Sequence, residues 1–415
     1  MDNTNYSMPF NADMKKTHKI LIPQMCPVHF EILLECISRD GYDVEIMENE
    51  GQQVVNYGLQ YVNNDACYPA VLVIGQFIEA LKSGRYDLDR IVLAITQTGG
   101  GCRASNYIHM LRRALARAGY QNIPVVSLNF SGLEEGGLKL SMPTLAKATS
   151  AVIVADAIVS LASQTKPYEA ILGETERLVA KWTQKAKQKL QKSVFLFKGS
   201  IQRLITQIAG DFAKVERREN AKVVKVGVVG EIYVKYAPFG NNHLEEFLHS
   251  QGCEVCVLGL MGFIQYCLFN SYHDISLYGG SKLKAYVLNL LLKYLDGKDE
   301  AMASAIRKFP VFYVPPSFEE IKMEAKKNIG LEVKMGEGWL LTGEMGVLCE
   351  LGFTNIVCAQ PFGCLPNHIV GKGMITAIRS HYPQANIMPI DYDPGASKVN
   401  QENRLKLMLS TAARA

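Results

Sequence analysis

The sequence predicts an α/β fold with two related domains. Each is a parallel sheet flanked by helices, flavodoxin-like or Rossmann-like, and a helical segment joins the two. Three observations carry this. Short β-branched runs alternate with helical stretches that end at glycine, the pattern of a parallel sheet covered on both faces. The alternation restarts in the second half, where "GCEVCV" echoes "GYDVEI" of the first. Between the halves lies a long lysine-rich stretch without strand character.

Taken in order, "HKILIPQ" (18–24) is a buried strand. "PVHFEILLECISRDGYDVEIME" (27–48) is a helix, a glycine stop and a second strand. "NNDACYPAVLVIGQFIEALKSGRYD" (63–87) is a loop and a helix stopped at Gly84. "RIVLAIT" (90–96) is a strand running into "QTGGGCR", followed by a helix over 104–119 and a strand over 123–130. In the second half, 222–236 holds a strand, and 242–259 is helix, glycine, strand. A helix at 338–352 precedes the strand "NIVCAQ" (355–360) and the loop "PFGCLPNH" (361–368). A helix at 371–383 and a strand at 385–393 follow. The resulting boundaries are a polar tail at 1–16, a first α/β domain at 17–166, a helical connector at 167–221, a second α/β domain at 222–395 and a C-terminal helix at 396–415.

Composition narrows the function. The apolar share of 48% and charged share of 20% are ordinary for a globular protein. A net charge of +4 is too small for a nucleic-acid binder. No uninterrupted apolar run reaches the roughly 18 residues of a membrane span. The polar start lacks the layout of a signal peptide, so a cytoplasmic protein is expected. There the ten cysteines stay reduced. Ten exceeds what packing needs, which makes some of them candidate ligands.

Cys102 follows three glycines, Gly99, Gly100 and Gly101. Three ordered glycines cost much chain entropy, and they suit a backbone that must approach a bulky group. Cys364 lies in a loop after the equivalent strand of the second half. Parallel sheets bind ligands at the carboxyl ends of their strands, so both thiols are expected at one cleft. Cys67 begins a helix, where the dipole favours a thiolate; it reads equally as a small buried residue. Cys358 lies inside a strand, the usual place of a core cysteine. Cys253 and Cys256 have C-x-x-C spacing but no second pair, and read as packing. Cys349 reads as a helix-face residue.

Three kinds of bound group compete for these thiols. "CAQPFGCLPNH" lacks the tight spacing of structural zinc. No phosphate-loop motif occurs, although "TGGGCR" could cradle a phosphate with Arg103. An iron–sulfur cluster fits best, being held by thiolates from separate loops with close backbone approach. Arg103, Asn106, Gln360, Asn367, His368 and Lys372 flank the cysteine loops. They are candidates to hydrogen-bond sulfides or an anionic substrate, or else caps that hold the loops. The basic run "KWTQKAKQKLQK" (181–192) reads as a solvated helix face or as a docking surface for an acidic partner.

"NNDACYPA", "QTGGGCRASNYI", "GEGWLLTGEM", "QPFGCLPNHIVGKGM" and "IDYDPGAS" with the following "VNQ" and "NR" together resemble the 2-hydroxyacyl-CoA dehydratase superfamily. The likeness is to the reductase-like C-terminal region of large fused activase proteins and to the double-cubane cluster proteins. It runs over nearly the whole chain. It implies an oxygen-sensitive protein with a 4Fe–4S cluster or an 8Fe–9S double cubane. Cys67, Cys102 and Cys364 would be ligands, with Cys358 a possible addition. Low-potential electrons would come from an ATP-hydrolysing activase, expected here as a separate chain. Dehydratase members eliminate water from a 2-hydroxyacyl-CoA through a ketyl radical; double-cubane members reduce small molecules. The resemblance also implies a homodimer. Enzymatic turnover, as reductase or lyase component, is the first expectation. A non-catalytic cluster carrier or scaffold is the second, and a zinc-stabilised domain the third.

Overall fold

A computed structural model describes residues 10–11, 13–63, 66–97, 101–128, 138, 140–191, 198–219 and 221–412. It contains two four-stranded sheets whose strands are all parallel. The first holds β1 (Lys19–Pro23), β2 (Asp43–Met47), β3 (Ile91–Thr96) and β4 (Val125–Leu128), in the order β2-β1-β3-β4. The second holds β5 (Val224–Gly230), β6 (Cys253–Val257), β7 (Asn355–Pro361) and β8 (Asn386–Tyr392), in the order β6-β5-β7-β8. The two orders are the same, so β7 is the counterpart of β3 and β5 the counterpart of β1. In each sheet the chain reverses its winding between the first and third strands. That crevice, at the strands' carboxyl ends, is where such sheets take ligands.

The strands form where buried β-branched runs allow no other partner for their backbone. Ile91 to Ile95 are all buried, as a strand covered on both faces requires. Helix Tyr107–Ala118 ends where Gly119 takes a left-handed φ of 85°, a conformation that costs other residues more. The expected strand at 123–130 is shorter, and residues 129–130 lie outside the described residues. The expected helix at 371–383 is regular only over Ile375–His381, after a wide turn and a tight one over 367–374.

Two regions carry structure that the sequence pattern leaves unassigned. Helix Gln52–Tyr61 packs on helix Tyr68–Lys82, and Gly58 and Gly75 sit where a Cβ would strike the other helix's backbone at 2.2 Å. Between β6 and β7 lie helices Leu260–Tyr278, Lys282–Ile306 and Phe318–Lys326.

The first two of these join helices Pro27–Ser38, Met142–Ser163, Glu174–Gln191 and Lys198–Phe212 in one apolar cluster. At its centre, Asp156 of helix Met142–Ser163 accepts the backbone N–H groups of Leu260 and Met261 at 2.8 and 3.0 Å. It thereby caps helix Leu260–Tyr278 from another segment of the chain. His29 Nε2 lies 2.7 Å from the same carboxylate. The stretch Met142–Tyr168 is long and apolar enough to cross a membrane, but 61% of its most apolar window is buried inside the protein. It is the core helix of this cluster.

In the basic run, Lys181 pairs with Asp211 at 2.6 Å and Lys187 with Glu31 at 3.0 Å. Lys185 lies over the Trp182 ring. The C-terminal helix Lys398–Ala412 is tied to β8 by Gln401, which donates to the Asp391 carbonyl at 2.8 Å.

Candidate functional site

Three cysteines take the same local role on three different loops. Cys67 is the residue before helix Tyr68–Lys82, and its carbonyl accepts the N–H of Ala70 at 3.0 Å. Cys102 precedes the short turn Arg103–Asn106, and its sulfur accepts the N–H of Ala104 at 3.5 Å. Cys364 follows β7 and precedes the wide turn Asn367–Gly371; its carbonyl accepts the N–H of His368 at 3.2 Å. Each thiol therefore sits where a Ser or Asp would cap a helical turn. Backbone N–H groups there stabilise a negatively charged sulfur. A side-chain donor reaches two of them: the Tyr107 hydroxyl is 2.9 Å from Cys67 Sγ, and Asn367 Nδ2 is 3.4 Å from Cys364 Sγ.

The loops belong to opposite sheets but touch. The N–H of Tyr68 donates to the carbonyl of Phe362 at 3.2 Å. Gly363 adopts a φ of 77°, and a Cβ there would lie 3.5 Å from Cys67 Cα and 3.3 Å from the Arg103 guanidinium. A Cβ on Gly101 would meet Met335, and one on Gly336 would meet Pro366 beside Cys364. The carboxyl ends of β3 and β7 are thus brought together, with Cys67 between them.

Two glutamates share this junction. Glu231 follows β5 at the crevice, and its carboxylate accepts the N–H of Val234 at 2.9 Å. Glu337 accepts the N–H of Ile232 at 3.0 Å and the Asn367 amide at 3.1 Å. One amide of Asn367 therefore bridges a carboxyl and a thiol. Burial, and then the charge of Glu337, pushes the Glu231 carboxyl up to about 8. Burial raises Glu337 as well. The thiols respond to the same field. Burial raises Cys67, Cys102 and Cys364; the nearby Glu231 adds to the rise at all three, and Glu337 at Cys102 and Cys364. Cys102 reaches about 11. Without a bound cation the three thiols and Glu231 keep their protons near neutral pH. A metal that displaced the thiol protons would supply the missing positive charge.

Of the residues expected at the site, Arg103, Gln360 and Asn367 reach it. Gln360 is fully buried and donates to the Asn367 carbonyl at 3.2 Å, holding the Cys364 turn. The amide oxygens of Gln360 and Asn367 are buried without a hydrogen-bond partner among the described residues. His368 is half-buried in the turn, and Asn106 and Lys372 stand exposed on flanking turns. Gly99 and Gly100 lie outside the described residues. Glu231, Glu337 and Tyr107 are absent from the residues singled out in the sequence. "GE" closing the β5 run and "GEGW" at 336–339 were the signals available.

The remaining cysteines are elsewhere. Cys358 is buried behind β7 against Gly371, where an added Cβ would lie 3.0 Å from its sulfur. Cys253 and Cys256 point into different apolar clusters on opposite faces of their sheet, as residues three apart on a strand must. Cys26 packs in the helical cluster and Cys349 on the helix behind β7.

Among the described residues, no three His, Cys, Asp or Glu side chains converge closely enough to hold one metal ion. Thiolates bound to different irons of one cluster need not converge on a single point. No protein-family model matches the chain, and no curated protein sequence matches it.

Proposed function

We propose that this chain is a cytoplasmic iron–sulfur protein of the 2-hydroxyacyl-CoA dehydratase type. In this reading Cys67, Cys102 and Cys364 hold a cluster at the junction of the two sheets. The observation that carries it is the shared place of these cysteines: each stands immediately before a helical turn, on loops that meet at Gly363 and Arg103. Contact between the loops supports it, since a Cβ on Gly363 would lie 3.5 Å from Cys67 Cα and 3.3 Å from the Arg103 guanidinium.

A bound cluster supplies one-electron reduction at low potential, with an iron left open where only three thiolates ligate. The chain's own residues would set its surroundings. Tyr107 and Asn367 donate to the Cys67 and Cys364 sulfurs, which lowers their charge density. Glu231, pushed up to about 8, keeps its proton near neutrality and offers a hydrogen-bond donor to an anion at the junction, beside Glu337, which burial also raises. Arg103 adds positive charge beside Cys67. Electrons come from a separate ATP-hydrolysing activase, and the substrate is a small molecule or an acyl-CoA.

The test is anaerobic reconstitution with iron and sulfide. Iron and sulfide per chain, read with the EPR spectrum of the reduced protein, separate a single cubane from a double one. Turnover of a 2-hydroxyacyl-CoA or a small reducible substrate with an activase, ATP and a strong reductant then identifies an enzyme. A protein that binds zinc but no iron and sulfide would refute the reading.

A further inference from the structure

Gly101, the residue before Cys102, is a glycine for reasons of space. It takes no left-handed φ, so backbone conformation does not call for it. A Cβ there would lie 2.7 Å from the Met335 sulfur and 2.9 Å from its terminal methyl. No side-chain carbon stands that close to another heavy atom, and the far end of a methionine is the part that would yield. The thioether therefore lies against the backbone that leads into Cys102. Met335 is nevertheless 54% exposed. A methionine that fills a gap in a core is buried; this one is spread over a surface glycine.

The segment that carries Met335 is pinned on both sides of it. The hydroxyl of buried Tyr266 lies 2.9 Å from the Lys334 carbonyl and 3.0 Å from the Gly336 carbonyl. The N–H of Gly338 donates to the Met335 carbonyl at 3.0 Å, and that of Trp339 to the Val333 carbonyl at 2.8 Å. A Cβ on Gly338 would strike the Val333 carbonyl at 2.3 Å, so the turn is closed as tightly as a chain allows. Glu337 reaches from the same turn to the N–H of Ile232 and the amide of Asn367. The backbone is fixed, and the flexible part is the unbranched side chain of Met335 itself.

We propose that Met335 is the cover of Cys102: its side chain lies over Gly101 and keeps water and small oxidants from the thiol, and from the iron held there when a cluster is bound. The part concerning iron rests on the function proposed above; the part concerning the thiol does not. Cys102 is the ligand candidate that needs a cover, being half-buried where Cys67 and Cys364 are buried. An apolar shell at such a site controls the access of solvent and the local dielectric. Leu365, beside Cys364, is 68% exposed and continues the apolar surface on the other cysteine loop. The pairing also accounts for Gly101, since any larger residue would lift the cover.

The test is labelling of the reduced, iron-free, full-length protein with iodoacetamide, in which a cysteine thiolate displaces iodide. Mass spectrometry of the peptides gives a rate at each cysteine, and that rate follows access to the thiolate. Met335→Ala should raise the Cys102 rate several-fold and leave buried Cys253 unchanged. Gly101→Ala should do the same, because it displaces an intact Met335. Met335→Leu, which keeps the apolar bulk, should stay close to the parent. An unchanged Cys102 rate in both Met335→Ala and Gly101→Ala overturns the proposal. So does an equal rise at Cys102 and Cys253, which would report a loosened fold instead of a lost cover. After anaerobic reconstitution, the visible absorbance of Met335→Ala should bleach several-fold faster in air than that of the parent. Equal bleaching overturns the part concerning iron. A parent that takes up no iron refutes the cluster reading and leaves the labelling result standing.

Discussion

The backbone N–H of Tyr68 donates to the carbonyl of Phe362 at 3.2 Å, across the junction of the two sheets. These residues directly follow Cys67 and precede Cys364 by two, so this hydrogen bond ties the two cysteine loops together. Gly363 completes the contact.

Replacing Gly363 by alanine tests how much this contact matters. Its φ of 77° costs an alanine roughly 1–2 kcal/mol. The new methyl would also crowd the Arg103 guanidinium at 3.3 Å, while meeting Cys67 Cα at an ordinary 3.5 Å. Gly363→Ala should fold, with stability lower by about 1–2 kcal/mol, and should hold iron less well than the parent. Iron content after anaerobic reconstitution, set beside a thermal melt, gives the answer. Unchanged iron in a destabilised protein would mean that the Phe362–Gly363 contact does not govern the thiols.

The ligand assignment has its own contrast. Cys67→Ala, Cys102→Ala and Cys364→Ala should each lose most of the bound iron, with far-UV circular dichroism intact. Cys253→Ala and Cys256→Ala should keep it, because those side chains enter two different apolar clusters. Their cost should be in stability, about 1–2 kcal/mol each for a small buried side chain. Full iron retention in Cys102→Ala would remove that residue from the site.

How much of this was legible follows from what each residue does locally. The strands were readable because Ile91–Thr96 and its counterparts are buried on both faces and need apolar side chains throughout. The cysteine loops were readable because strand-to-loop junctions in a parallel sheet all lie at one edge. Helices Leu260–Tyr278 and Lys282–Ile306 were not. Their apolar residues face both the helical cluster and solvent, so the helical period is blurred. Glu231 and Glu337 were hidden for a different reason. A carboxylate reads as surface in a sequence, and only the approach of two distant segments buries this pair.

The buried pair of Lys235 and Glu344, 2.9 Å apart with each side chain 4% exposed, ties the short helix after β5 to helix Trp339–Glu350. Removing one partner leaves the other charge buried. Lys235→Met should therefore cost about 3–5 kcal/mol, whereas Lys235→Met combined with Glu344→Leu should recover most of the loss. Urea denaturation of the two single variants and the double variant measures the coupling. Strict additivity of the single effects would show that the two charges do not interact.

Asp299 makes stability depend on pH in a defined direction. Burial pushes its carboxyl from 3.8 up to about 7, against the hydrogen bond from Gln265 at 2.7 Å. The charges of Asp156 and Asp296 raise it further. Between pH 3.8 and about 7 the folded chain therefore holds a proton that the unfolded chain has released. Stability must fall as pH rises through that window and level off above it. Glu245, raised to about 7 by burial, acts in the same direction. His249, lowered to about 4 by burial, acts oppositely, so its contribution is lost as pH falls below 6.5. Asp299→Asn removes one acid without removing the partner of Gln265. It should stabilise the protein at pH 8 by on the order of 1–2 kcal/mol, less than the full titration energy because the side chain keeps some contact with water. At pH 5 the gain should be smaller. Urea denaturation of parent and variant at both pH values decides the point, and an equal difference at pH 5 and pH 8 would show that Asp299 does not titrate in this window.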